Sequence, residues 1–258
     1  SAVGMAIGQK QLQARLGGAD CLFDQKIYVL SGDGCMMEGT SHEACALAGH
    51  LQLDNLIVFY DDNGITIEGS TEIALSEDVG ARFAAYGWNV MRINGQDTKQ
   101  IRNALNLART LKNKPTLIIG RTVIGTGSPK LAGSSESHGA PLGAEELAAT
   151  KVNLGFDPTQ SFVVPPEVCA LCNETVAAKK KAAAAWNEKF ANFSTGLTPE
   201  RRELLAALRN RTVPANILSE LLKAVPAKPT ATRNSGGEIM QKAAALVPAL
   251  VGGSADLN

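Results

Sequence analysis

In the first half of the chain, short solid runs of apolar residues alternate with longer stretches in which apolar positions recur every three or four residues. The solid runs predict strands near residues 26–31, 55–60 and 116–123, the last rich in β-branched residues, and a more broken apolar run predicts one near 88–93. The three-to-four periodicity predicts helices over 2–16, 37–50, 77–86 and 98–111. Apolar strands separated by helices of ten residues or more define βαβ units, hence a mostly parallel sheet with helices on both faces. Ligands of such sheets bind at the carboxyl ends of the strands. Asn55 reads as a polar lead-in to the second strand, without a role of its own.

The pattern then changes. Residues 125–143 are rich in Gly, Ser and Pro, a loop long enough to have a function. A short helix is expected over 144–155. Pro165-Pro166 opens a long helix to about residue 193, Thr198 starts another, and a third covers 218–225. A helix over 233–247 is followed by a strand that runs into Gly252-Gly253. The division expected is a first domain over 1–155, a helical connector over 156–228, and the start of a second α/β domain over 229–258. The first helix opens without a preceding Met and the last element is cut short, as in a piece of a longer protein.

Composition narrows the function classes. The 258 residues are 45% apolar and 19% charged, a globular balance, and 25 basic residues match 25 acidic ones. Nothing points to nucleic acid or to an anionic membrane surface, and no run is long enough for a transmembrane helix. Lys179, Lys180 and Lys181 read as a solvated helix face. The five cysteines, an odd number at irregular spacing, argue for a reducing compartment. Cys169 and Cys172 form a C-x-x-C pair. No second Cys/His pair follows, so the reading favoured is two buried thiols on one helical face rather than a redox or half-zinc site. No G-x-G-x-x-G follows the first strand, which excludes the usual nicotinamide fingerprint.

The candidate chemistry sits where the strands end. Asp33 lies between Gly32 and Gly34 after the first strand, and Asn63 follows Asp61 and Asp62 after the second. One carboxylate and one amide on neighbouring strand ends are hard oxygen ligands, suited to a magnesium ion that completes its octahedron with phosphate oxygens. The glycines let backbone approach a bulky anion, and a following helix N-terminus favours negative charge. This is a magnesium–diphosphate clamp. His138, one of three histidines, lies in the long loop.

The segments Gly32-Asp-Gly-Cys-Met-Met-Glu-Gly39, Ser41-His-Glu43, Tyr60-Asp-Asp-Asn-Gly-Ile65, Ser137-His-Gly-Ala-Pro-Leu-Gly143 and Gly252-Gly-Ser-Ala-Asp256 together resemble the transketolase family, across the whole chain. Dihydroxyacetone synthase and deoxyxylulose-phosphate synthase share parts of the pattern. The resemblance implies the thiamine-diphosphate-binding fold. It also implies transfer of a two-carbon ketol unit from a ketose phosphate to an aldose phosphate in the pentose phosphate pathway. Asp33, Asn63 and the carbonyl of Ile65 would hold Mg2+, with Ca2+ or Mn2+ as substitutes. Gly32 and Gly34 would border the diphosphate, and Ile67 and Ile124 would wall the cofactor rings, core packing being the competing role for both. His138 matches the family histidine near diphosphate and substrate. Arg233 matches a sugar-phosphate ligand, and Asp256 a residue near the partner subunit's cofactor. Glu38 and Glu43 match an acidic cluster at a homodimer interface, while His42 and His50 are read as structural. The glutamate that activates the cofactor has no match between residues 1 and 258, so the isolated piece is expected to be inactive. The compartment implied is the cytoplasm, with a plastid left open.

Overall fold

The computed structural model describes residues 1–17 and 22–253. These fall into two compact units, Ser1–Gln13 with Phe23–Val176, and Ala14–Leu22 with Ala177–Asn258.

The first unit is built on the expected parallel sheet. Strands β1 (Ile27–Gly32), β2 (Leu56–Asp62), β5 (Asn89–Asn94) and β6 (Thr116–Arg121) lie in the order β1-β2-β6-β5, every neighbour parallel. An antiparallel hairpin of β3 (Ile65–Thr66) and β4 (Gly69–Ser70), absent from the apolar pattern because each strand is two residues long, follows β2. Alternate residues of the central strands face opposite sides. On one face Leu56, Val58, Tyr60, Leu117 and Ile119 pack with Ala6 of α1 (Ala2–Leu16), Ala48 of α3 (Gly39–His50) and Phe83 of α4 (Val79–Ala85). On the other, Ile57 and Ile118 meet Ala104 and Ala108 of α5 (Thr98–Thr110). Helices thus cover both faces, as expected.

The helix expected over 37–50 is α3, starting two residues later, and an unexpected short α2 (Asp33–Met37) precedes it, the two separated at Glu38, whose extended backbone (φ −67°, ψ 128°) precedes Gly39. Arg82 of α4 donates to the Met36 carbonyl at 2.9 Å and so satisfies the end of α2. Asn55 is not a bystander. It is buried, and its side-chain amide donates to the Ala6 carbonyl at 2.9 Å and to Gln9 Oε1 at 2.6 Å, tying α1 to the start of β2. Cys169 and Cys172 are exposed, because α7 (Pro166–Gly196) presents these turns to solvent.

Beyond the sheet come α6 (Ala144–Asn153) and α7, on which Lys179, Lys180 and Lys181 are exposed as expected. The second unit holds α8 (Pro199–Asn210), α9 (Ile217–Leu222) and α10 (Thr232–Leu246). Thr198 caps α8 by accepting from Arg201 N, with Pro199 at the first helical position. The strand expected at Gly252-Gly253 does not form: residues 247–253 are a turn and irregular chain, with Pro248 breaking the run. No helix among the described residues is long and apolar enough to cross a membrane.

Candidate metal and diphosphate site

The parallel register pairs Gly32 with Asp61, so the residues just past β1 and β2 emerge side by side at the carboxyl edge of the sheet. Asp33, the first of them, is 4% exposed. Its Oδ1 accepts from the Tyr60 hydroxyl at 2.6 Å and its Oδ2 accepts from Gly64 N at 3.1 Å. The second bond carries the most information, because Gly64 lies between Asn63 and Ile65. It brings the carboxylate to the turn that holds the other two expected ligands. Gly64 has φ +73°, a left-handed conformation that glycine adopts without strain. The turn is fixed on its other side too. Asn63 Oδ1 accepts from Ile65 N at 2.9 Å, and its amide donates to Asp61 Oδ2 at 3.1 Å.

These oxygens are oriented but not used up. A carboxylate offers about four lone-pair directions and an amide oxygen two; Asp33 has two engaged and Asn63 one. One carboxylate, one amide oxygen and backbone carbonyl form a hard, oxygen-only donor set of the kind magnesium takes. Among the described residues no three His, Cys, Asp or Glu side chains converge to hold a metal. A cation at Asp33 would therefore draw further ligands from something bound beside it, and diphosphate oxygens suit that need. The residues present fit the pair of groups better than either alone.

Five participants were not legible as such in the sequence. Tyr60 is buried, and burial followed by the bond to Asp33 pushes its phenol well above the ordinary tyrosine range, so it stays a donor to the carboxylate. A tyrosine ending an apolar strand needs a partner for its hydroxyl, and that requirement was the available signal. Asp61 accepts from Thr122 Oγ1, which joins the ends of β2 and β6. Asp62 pairs with Arg121 at 3.0 Å, and the Arg121 guanidinium lies against Gly64. Ion pairs between strand ends carry no period that a sequence pattern displays.

Asn63, Gly64, Ile65, Gln96, Arg121 and Gly133 line a cleft of about 660 Å3 beside this edge, within the size range of small-molecule sites. Gly133 belongs to the long loop after β6, so that loop borders the cleft. Ile124, half-buried at its start, accepts from Gly133 N at 2.8 Å. His138 closes a short 3-10 turn (Ser135–Ser137) and is half-buried. The loop is pinned from α6. Glu146 is buried, and its Oε1 accepts from Ser128 Oγ and from Lys130 N at 2.8 Å. Those two bonds, the hydroxyl first, hold its carboxyl below the usual glutamate range.

Of the remaining expected residues some adjoin Asp33 and Ile65 in the chain and others lie apart. Gly32 ends β1 and Gly34 is exposed beside Asp33. Ile67, at the tip of the β3–β4 hairpin, is 71% exposed, which removes core packing as its role. Among the described residues no hydrogen bond joins His138 to Asp33 or Asn63. Glu38 and Glu43 are exposed. His42 meets Arg82 at 2.6 Å, a structural contact, and His50 ends α3. Arg233 is exposed on α10 in the second unit, and Asp256 lies outside the described residues.

A parallel α/β sheet with an oxygen-ligand cradle at its carboxyl edge is the class of a cofactor-binding domain. Comparison with known proteins gives the family: residues 1–214 match the family described as "Transketolase, thiamine diphosphate binding domain", and the chain belongs to it. It is 42% identical over 266 residues to transketolase 1 of Escherichia coli, covering 100% of this chain and 39% of the relative. Against the chloroplastic transketolase of Zea mays it is 42% identical, covering 100% and 38%. The crystal structure of a transketolase complex with sedoheptulose 7-phosphate from Pichia stipitis superposes with a TM-score of 0.87 at 42% identity, over 99% of this chain and 38% of that one. A transketolase from Leishmania mexicana gives 0.88 at 34% identity, over 99% and 38%. The chain thus spans about two-fifths of the length of the relatives it matches.

Proposed function

We propose that this chain supplies the metal and diphosphate half of a transketolase active site. The observation that carries the reading is the Gly64 N–H to Asp33 Oδ2 bond, which unites the two loops bearing Asp33, Asn63 and Ile65 at one sheet edge. Asp33, the Asn63 side chain and the Ile65 carbonyl hold Mg2+, for which Ca2+ or Mn2+ can substitute. Gly32 and Gly34 let the diphosphate approach. Thiamine diphosphate, when bound, supplies a stabilised carbanion for breaking the carbon–carbon bond beside a ketone. Ile67 and Ile124 offer apolar surface to its rings. Exposure of Ile67 supports this, since an isoleucine open to water on a hairpin tip gains from being covered.

Sugar phosphates are the substrate class, in keeping with the sedoheptulose 7-phosphate, xylulose 5-phosphate and fructose 6-phosphate named for complexes of the Pichia stipitis relatives. The reaction is ketol transfer of the pentose phosphate pathway, with His138 beside diphosphate and substrate and Arg233 pairing with the sugar phosphate through its guanidinium fork. Asp256 lies near the cofactor, and Glu38 and Glu43 serve a homodimer interface. The domains are those read from sequence: 1–155, 156–228 and 229–258. The compartment is the cytoplasm, or a plastid as for the maize relative.

The test is coupled release of glyceraldehyde 3-phosphate from xylulose 5-phosphate and ribose 5-phosphate by the 258-residue chain, alone and mixed with a chain supplying the rest of a transketolase. Activity only in the mixture, dependent on Mg2+ and thiamine diphosphate, is expected. Turnover that needs neither addition would overturn the reading.

A further inference from the structure

Cys169 and Cys172 take no part in the site described above. They lie three residues apart near the start of α7, and both are exposed. On a helix that spacing places two side chains on the same side, one turn apart. Their α-carbons then stand about 5 Å apart, inside the range of about 4.4–6.8 Å that a disulfide spans. Their β-carbons stand about 5–6 Å apart where a disulfide needs about 3.5–4.5 Å, so the turn must tighten by an ångström or so.

The start of α7 can yield that much. The Pro165 carbonyl accepts from both Val168 N at 3.0 Å and Cys169 N at 3.2 Å, so the turn that leads into Cys169 already mixes the tighter 3-10 and the α pattern, next to the turn that must tighten. Pro165 and Pro166 have no N–H to lose, and the first helical N–H groups have no partner within the helix. No buried core rests on this stretch: among the described residues of α7 none is buried.

Among the described residues, the chemistry of the other thiols sets the pair apart. Cys45 is half-buried, and burial pushes its thiol up to about 11, which keeps the nucleophilic thiolate scarce. Cys35 is exposed but has no second cysteine within a helical turn in the sequence. A closed metal site is not available to the pair, since no three metal-ligating side chains converge among the described residues.

We propose that Cys169 and Cys172 form a reversible dithiol–disulfide site that reacts with low-molecular-weight disulfides such as glutathione disulfide. The thiolate of one cysteine attacks the disulfide. Its S–S bond breaks, a mixed disulfide forms on the protein, and one glutathione leaves as thiolate, taking up the proton the cysteine lost. The second thiolate then attacks the protein sulfur of that mixed disulfide and releases the second glutathione. The two cysteines are oxidised by two electrons together, and the glutathione disulfide is reduced to two thiols.

The test uses the 258-residue protein, incubated with excess glutathione disulfide, quenched in acid, alkylated and mapped by mass spectrometry. The peptide holding both cysteines is expected to lose two hydrogens and both alkylation sites, and to regain them with dithiothreitol. Cys169→Ser and Cys172→Ser are each expected to stop at a stable glutathione adduct on the remaining cysteine. Circular dichroism of the two variants should match the wild type, since neither thiol is buried. Stable adducts on both cysteines of the wild type, or two thiols that stay fully alkylatable, would overturn the proposal.

Discussion

At the residue scale the site depends on how one buried carboxylate is held. Asp33 accepts from Tyr60 and from Gly64 N, and a buried acceptor is costly to leave unpaired. Tyr60→Phe removes one donor but leaves the bond that joins the two loops. It is expected to lower unfolding stability by about 1 kcal/mol in urea titration while magnesium-dependent diphosphate binding persists. Loss of binding in that variant would make Tyr60 part of the binding machinery rather than its support. Asn63→Leu is expected to abolish binding at a modest cost in stability, about 1 kcal/mol, because the two bonds it makes in the turn are only partly buried. Asn55→Leu is expected to do the reverse. It leaves Gln9 Oε1 without its donor in the interior, at a cost of about 1–3 kcal/mol. The neutral comparison is Asn103→Leu, at an exposed position of α5. Melting curves and titrations of the three separate a ligand, a strut and a bystander.

At the scale of elements, close packing explains where the sequence pattern succeeded. Strand runs and amphipathic helices follow burial, and burial is what apolar periodicity records, so β1, β2, β5 and β6 were legible to within two residues. The break at Glu38 was not, because it depends on a side chain from α4, remote in sequence, reaching the Met36 carbonyl. The hairpin at 65–70 was missed because its strands are too short to show a period. The exposure of Cys169 and Cys172 was missed because an alanine-rich helix has similar composition whether its faces are covered or bare. Two predictions belong at this scale. A methyl added at Gly49 of α3 would overlap the Tyr86 carbonyl oxygen after α4, so Gly49→Ala is expected to cost about 1–3 kcal/mol; an unchanged melting temperature would refute that close approach. The Glu146 pin on the loop that bears His138 should be pH-sensitive. Its folded carboxyl titrates below the unfolded value, which is near 4.3. Its contribution is therefore full above that value and is lost as pH falls through the lower folded one. Limited proteolysis of residues 125–143 is expected to quicken over that acid range, and Glu146→Gln should flatten the dependence.

For the whole molecule, the residues of the proposed clamp lie within the first unit. Asp33, Asn63 and Ile65 are positioned by β1, β2 and the turn after β2, all within Phe23–Val176. Of the proposed site, the sequence therefore displayed the two strand-end candidates Asp33 and Asn63 and left hidden the strand-end pairs Asp61–Thr122 and Asp62–Arg121, which depend on register between strands remote in the chain. The central claim is that this sheet edge binds diphosphate through a divalent cation held by Asp33. Titration calorimetry of thiamine diphosphate into the 258-residue chain, with and without Mg2+, tests it most directly. The account predicts heat of binding only with Mg2+, its loss in Asp33→Ala, and no change in Asn103→Leu. Binding that is independent of Mg2+, or that survives Asp33→Ala at the same affinity, would contradict it.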